Sequence, residues 1–123
     1  MKDFRQLKVW EKAHHLTLEI YRITATFPRT ETYGLTSQIR RAGASICANL
    51  AEGCGRDGDA EPARFCGIAR GSASELESHL LLARDLHFLE ARDHDHLAQE
   101  TTEIKRMLTA LMQKLNAENV SKN

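Results

Sequence analysis

The chain has 123 residues, a length that fits a single domain, spanning residues 1–123, with a hydrophobic core of its own. Its 17 Lys and Arg balance 17 Asp and Glu, so net charge gives no reason to expect a dominant nucleic-acid or membrane role. The three cysteines are odd in number, show no C-x-x-C spacing and accompany no recognisable signal sequence, and no apolar run approaches a membrane span. These features predict a cytoplasmic protein without a membrane partner.

Apolar residues recur at helical spacing along most of the chain, without an alternating strand pattern. The spacing predicts helices over residues 7–27, 36–56, 60–88 and 94–117, and a polar tail over 117–123 that frays. Pro28 ends the first helix because its ring clashes with a continuing helix, whereas Pro62 fits the first turn of the third. Short connections favour antiparallel neighbours, so the predicted fold is an all-α, up-down-up-down four-helix bundle.

The second predicted helix lacks an ordinary solvent-facing side. One arc of it is apolar and a neighbouring arc is polar. The remaining arc carries the small residues Ala44, Cys47, Ala48, Ala51 and Cys54. A helix that is apolar or small on most sides is usually buried on most sides. We therefore expect the small-residue arc to form either the closest packing of the bundle or part of a subunit interface.

Several ordered motifs in the chain resemble one known family. They are Phe4-Arg5-Gln6-Leu7-Lys8-Val9-Trp10, Tyr33-Gly34-Leu35-Thr36-Ser37-Gln38-Ile39-Arg40-Arg41-Ala42, Asn49-Leu50-Ala51-Glu52-Gly53, and Ile68-Ala69-Arg70-Gly71-Ser72. Together they resemble the bacterial four-helix bundle proteins encoded in intervening sequences of 23S ribosomal RNA genes. This resemblance implies a left-handed bundle, usually a homopentameric ring, with no established enzymatic activity. A similar fold is used by the accessory protein of diversity-generating retroelements, which binds a reverse transcriptase and contacts nucleic acid.

The chain departs from the family pattern at a few positions. Leu50 stands where Ile is common, Cys47 where Pro is frequent, and Pro62 where an aromatic residue is usual. Cys66 and Gly67 replace a larger apolar residue. These changes affect packing more than chemistry, although Pro62 and Gly67 could loosen the start of the third helix.

Polar residues of the second and third helices form the first candidate site. They are Gln38, Arg41, Ser45, Asn49, Glu52, Ser72 and Glu75. A Glu and an Arg inside a bundle resemble acid/base equipment, but no Ser-His-acid or Cys-His arrangement accompanies them. We favour a structural hydrogen-bond network, in which Arg41 meets Glu52 or Glu75, over a catalytic site. No catalytic residue is assigned.

A metal or cofactor site has little support in the sequence. A di-iron bundle needs Glu-x-x-His pairs on two helices, and here only Glu11 and His14 have that spacing. The histidines of the third connection, His87, His94 and His96, fit a solvated loop better than a metal site. We expect no cofactor, no metal and no small-molecule substrate, and we interpret the cysteines as small buried hydrophobic residues.

Six basic residues are candidates for contact with nucleic-acid backbone. They are Lys8, Lys12, Arg40, Arg56, Arg64 and Arg70. Grouped on one face, such side chains could bind phosphate without reading sequence. The sequence therefore predicts a non-enzymatic, homo-oligomeric (pentameric) bundle that could be an adaptor for RNA or for a nucleoprotein partner such as a reverse transcriptase. The alternative is a structural or protein-partner scaffold without nucleic acid, and a di-iron enzyme is the least favoured hypothesis.

Overall fold

The computed structural model describes residues 3–56 and 61–122. Within them the chain forms α1 (Lys8–Thr24), α2 (Leu35–Gly55), α3 (Glu61–Asp85) and α4 (Ala91–Lys122), together with short 3-10 turns at Phe4–Gln6 and Arg29–Glu31. The all-α prediction is confirmed, and no strand occurs in this described part of the chain. None of the helices described is long and apolar enough to cross a membrane.

Several helix ends in the structure differ from the predicted ones. α1 ends at Thr24, because the N–H groups of Thr26 and Phe27 form tight turns before Pro28. α4 begins earlier than predicted, at Ala91, and the predicted polar tail over 117–123 is instead helical as far as Lys122. That segment is polar, but it has no Gly or Pro to end a helix. Residues 57–60, which include the start predicted for the third helix, lie outside the described residues.

Side-chain contacts show how the helices run relative to one another. Along α1, Thr24 contacts Arg40 and Thr17 contacts Cys47, so residue numbers fall on α1 as they rise on α2. The other neighbouring helix pairs show the same opposed numbering. The contacts are Ser45–Ser72 and Gly53–Phe65 between α2 and α3, Arg70–Thr109 and Glu77–Lys105 between α3 and α4, and Lys12–Glu100 and Glu19–His96 between α1 and α4. Each helix is therefore antiparallel to its two neighbours. The left-handed sense of the bundle stays a prediction.

All four helices contribute to one buried core. Its largest fully buried apolar side chains are Leu16, Ile20, Ile39, Ile46, Leu50, Leu76, Leu80, Leu97, Ile104 and Leu108. Each contributes about 1.5–3 kcal/mol by leaving water. Three threonines are also buried, Thr24, Thr36 and Thr101. Thr24 and Thr101 each donate the hydroxyl to the carbonyl one helical turn earlier at 2.7 Å.

Two glycines of α2 allow unusually close helix packing. A Cβ atom at Gly43 would lie 3.2 Å from Ile20 Cδ1 on α1. A Cβ atom at Gly53 would lie 2.9 Å from the Cβ of Phe65 on α3, closer than real Cβ atoms approach. α2 therefore packs closely against two neighbours, through two glycines that lie outside the predicted small-residue arc.

α3 ends in a Schellman motif built on an unusual residue. The N–H of Phe88 donates to the carbonyl of Ala83, and the N–H of His87 donates to the carbonyl of Arg84. His87 occupies the left-handed region at φ 63°, a position that glycine usually fills. An imidazole-bearing residue at this position is conformationally strained.

We expect His87→Gly to be more stable than His87→Ala by about 1 kcal/mol, because only glycine enters the left-handed region without a Cβ clash. Both variants remove the imidazole, so their difference isolates the backbone effect. Thermal unfolding at one fixed protein concentration should give the glycine variant a melting temperature several degrees higher. Equal melting temperatures would contradict this account of the motif.

Candidate functional site

Three members of the predicted polar network meet between α2 and α3. The hydroxyl oxygens of Ser45 and Ser72 lie 2.9 Å apart. The side-chain amide of Asn49 donates to the backbone oxygen of Ser45 at 2.8 Å and to its hydroxyl oxygen at 3.0 Å. These neutral groups hold two helices in register, and none of them ionises near neutral pH.

The charged members of the predicted network have other partners or are exposed. Glu52 accepts from Arg56 at 2.8 Å, and Glu75 contacts His79 at 3.4 Å, each one turn away on its own helix. These local partners take the place of the predicted pairing with Arg41. Arg41 and Gln38 are both exposed on α2. The four charged or long polar side chains thus face outward, away from the serine pair.

Among the candidate nucleic-acid contacts, three are engaged in grooves between helices. Lys12 lies against Glu100 and 3.3 Å from Glu103 on α4, and contact with Glu100 raises the pKa of its ammonium group. Arg40 donates to the hydroxyl of Thr24 at 2.9 Å in the α1/α2 groove. In the α3/α4 groove, Arg70 donates to the hydroxyl of Thr109 at 3.1 Å.

Two further candidates flank one aromatic ring at the α2/α3 groove. The guanidinium carbons of Arg56 and Arg64 lie 5.4 Å and 4.5 Å from the ring centre of Phe65. Arg56 also pairs with Glu52, and Arg64 with Glu61. Lys8, the sixth candidate, is exposed on α1. The six basic residues are therefore spread around the bundle instead of grouped on one face.

Exposed apolar side chains form a surface that the sequence patterns did not single out. Leu18 is 57% exposed and Tyr21 46% exposed on α1, Ile68 and Leu82 are exposed on α3, and Leu86 is exposed just after α3 ends. Between these helices, the small residues Ala44 and Ala48 are exposed on α2. As far as Gln113 the outward side of α4 instead carries the polar residues Gln99, Glu103, Arg106 and Gln113, and its exposed large apolar residue, Val120, lies near the C-terminal end. The sequence feature that could have identified this surface is that Leu18 is apolar but does not share the buried face of its helix.

The profile of the 23S rRNA-intervening sequence protein family matches residues 5–110. The chain belongs to this family. The family predicted from the motifs is therefore confirmed, and it is one without an established function.

A solved structure supports the fold of this 23S rRNA-intervening sequence protein. It is a protein of unknown function from the S23 ribosomal protein family of Bacteroides thetaiotaomicron, with a TM-score of 0.76 and 23% sequence identity. The similarity covers 85% of this chain and 97% of that one. At this identity the likeness shows the fold alone. None of the curated proteins matches this chain.

The titratable groups of this 23S rRNA-intervening sequence protein are dispersed. In residues 3–56 and 61–122, no three His, Cys, Asp or Glu side chains lie close enough together to hold a metal ion. His14 stacks on Trp10, with ring centres 4.7 Å apart. His94 and His96 lie in α4 and not in a solvated loop: His94 is buried, and His96 contacts Glu19 at 2.8 Å. His87 caps α3.

The three thiols lie within or beside the core. Burial raises the pKa of the Cys66 thiol to about 11. The pKa values of Cys47 and Cys54 are also raised, chiefly by burial, although Thr17 near the Cys47 sulfur opposes this rise. Because the thiolate is the reactive form, burial makes these cysteines poor nucleophiles.

We expect Cys66 to resist alkylation by iodoacetamide at pH 8 in the folded protein. With a pKa near 11 in place of 9.0, its thiolate fraction at that pH falls about a hundredfold, and its reactivity should rise as pH approaches 11. Mass spectrometry of timed samples, with and without urea, measures the difference. Labelling of Cys66 at the same rate in both conditions would contradict the expectation.

Proposed function

We propose that this 23S rRNA-intervening sequence protein is a non-enzymatic scaffold that works as a homo-oligomer. The proposal rests on the difference in polarity between the outward-facing sides of the helices. α1 and α3 expose large apolar side chains, including Leu18 and Leu82, and α2 between them exposes Ala44 and Ala48. Exposed apolar surface of this kind is typical of a protein interface, because covering it removes apolar area from water.

The polar outer face of α4 supports a particular orientation of the subunit. α4 is diagonally opposite α2, since α1 and α3 each pack against both of them. A subunit that covers its α1, α2 and α3 faces in an assembly would leave the polar side of α4 toward solvent. The exposed Arg106 and Gln113 suit that position.

The exposed apolar residues occur on two different helices, and if the α1 patch of one copy meets the α3 patch of another without the reverse contact, the interface is heterologous. Heterologous contacts repeat around an axis and close into a ring when the rotation allows it. The number five rests on the family resemblance.

A nucleic-acid adaptor is the less supported form of this proposal. Five of its six candidate basic residues already contact groups of their own chain, in four different grooves. Binding phosphate would require breaking several of these contacts. A scaffold for its own copies or for a protein partner, without nucleic acid, requires no such rearrangement.

We expect multi-angle light scattering of the purified protein to give about five times the 13.9 kDa chain mass. The reason is that the exposed apolar surface of α1 and α3 would be covered by neighbouring copies. Measurement over a wide concentration range separates a stable ring from weak association. A stable monomer at all concentrations would contradict the proposed homo-oligomer.

We expect a structured RNA to show no salt-dependent binding near micromolar protein in a filter-binding assay, because the basic side chains are dispersed and paired. Measurements at about 50 mM and 200 mM salt separate phosphate contacts from other binding, since phosphate contacts weaken steeply with salt. Micromolar binding that is lost at the higher salt would instead support the adaptor form.

A further inference from the structure

The groove between α3 and α4 contains a cavity of about 400 Å³. Two direct contacts cross the groove there. Lys105 of α4 donates to Glu77 of α3 at 2.7 Å, and Arg70 of α3 donates to the hydroxyl of Thr109 of α4 at 3.1 Å. All four residues line the cavity, as does Arg106 of α4. A cavity of this size between helices of a bundle is typical of a small-molecule site.

The two contacts leave a short gap between them. They are seven residues apart on α3 and four residues apart on α4, which corresponds to about 10 Å and about 6 Å along the helix axes. Arg106 follows Lys105 on α4 and lines the same cavity. The gap therefore has the dimensions of one small group and not of an extended polymer.

The charges that line this cavity do not cancel. Lys105 and Glu77 form an ion pair at 2.7 Å and neutralise each other. In the described residues, no carboxylate oxygen lies within 4 Å of the guanidinium nitrogens of Arg70 or Arg106. Arginine keeps its charge throughout the pH range of a folded protein. The cavity is therefore lined by two positive charges that have no close counter-charge.

Arg70 is placed to receive an anion. Its side chain is half-buried, and the partner of its guanidinium at Thr109 is a neutral hydroxyl. Withdrawing a charged group from water costs free energy, and an anionic partner offsets that cost better than a neutral one. The bond to Thr109 uses one nitrogen, Nη1, whereas a guanidinium has five N–H groups in all. Arg70 can therefore bind an oxyanion and keep the bond that positions it.

We propose that this cavity binds the phosphate group of a small molecule, either free phosphate or a phosphomonoester, between the guanidinium groups of Arg70 and Arg106. Each guanidinium is a planar fork of N–H donors that matches the spacing of phosphate oxygens. A phosphomonoester carries a charge of about −1.5 to −2 at pH 7, which two arginines balance, whereas a carboxylate carries a single charge. Thr102 and Thr109 line the same cavity, and their hydroxyls are further hydrogen-bond donors.

The walls of the cavity suit a phosphate group better than a nucleobase or a nucleic-acid strand. Among the described residues that line it, there is no aromatic side chain on which a base can stack. Binding of a nucleic acid near micromolar concentration depends on several phosphate contacts in succession. Here one pair of arginines faces one gap, and neither arginine has to leave a carboxylate in order to bind.

The cavity stays accessible in the proposed assembly. Arg106 and Gln113 belong to the polar side of α4, which faces solvent when α1, α2 and α3 are covered. The lining residues all belong to one chain, so the site is complete without a second copy. The phosphate site and the homo-oligomer are therefore independent of each other.

The first test is a titration of the purified protein with inorganic phosphate and with glycerol phosphate, followed by phosphorus NMR at constant ionic strength. We expect saturable binding to the wild-type protein. Arg106→Gln should weaken it about tenfold, because a hydrogen-bonded charge is lost. Glutamine is a good helix former and Arg106 is exposed, so the variant should keep the wild-type helicity and mass.

Arg92→Gln is the matched control. It makes the same change at an exposed position of α4 outside the cavity, so it should keep the wild-type affinity. Arg70→Gln should weaken binding as Arg106→Gln does. Equal affinities in the wild type, Arg92→Gln and Arg106→Gln, or a wild-type protein without saturable binding, would overturn the site.

The second test uses pH. The second pKa of a phosphomonoester is near 6, so its dianion fraction falls about fourfold between about pH 7.5 and about pH 5.5, and affinity for glycerol phosphate should fall equally. The charged groups that face the ligand are Arg70 and Glu77 from α3 and Lys105 and Arg106 from α4, without a histidine. Sulfate remains a dianion over this range and should bind equally at both pH values. Equal weakening of sulfate and glycerol phosphate would overturn the assignment to a dianion.

The same titrations identify the source of the phosphate group. Tighter binding of glycerol phosphate than of inorganic phosphate would support a phosphorylated molecule, and equal binding would support free phosphate. A structured RNA that binds near micromolar concentration and loses binding in Arg106→Gln would overturn the assignment to a small ligand. A monomeric wild-type protein that binds phosphate would overturn only the homo-oligomer.

Discussion

The close approach of α2 to both of its neighbours is the constraint on which the rest of the structure depends. Gly43 brings it against Ile20 of α1, and Gly53 brings it against Phe65 of α3. Any side chain at Gly53 would separate α2 from α3, which already share the hydrogen bond between Ser45 and Ser72. This packing fixes how α1 and α3 each lie against α2.

The polar side chains divide according to whether a local partner is available. Ser45 and Asn49 are short, so they bond at the helix surface to neighbouring backbone and to α3. Glu52 and Glu75 are longer and each contacts a side chain four residues further along the chain, Arg56 and His79 respectively. Ser45 and Ser72 join α2 to α3, and the charged side chains that resembled acid/base equipment in the sequence are exposed.

Membership of the 23S rRNA-intervening sequence protein family identifies the fold without a biochemical role. A function therefore has to be inferred from the chemistry of the surface. Basic residues such as Lys12 and Arg40 are engaged inside the chain, whereas Leu18 and Leu82 are open to a partner. The balance of contacts favours self-association over binding of nucleic-acid backbone.

The sequence by itself determined the family, the four helices and most of the core, because helix periodicity and turn residues such as Pro28 act over a few neighbouring positions. It also singled out Ser45 and Ser72, whose hydroxyls meet between α2 and α3, and Asn49, which donates to Ser45 on the same helix. Only the tertiary structure decided that Arg41 faces outward and that Leu18 is exposed on α1. Those facts depend on how helices that are far apart in sequence lie beside one another, and local sequence patterns do not determine that placement.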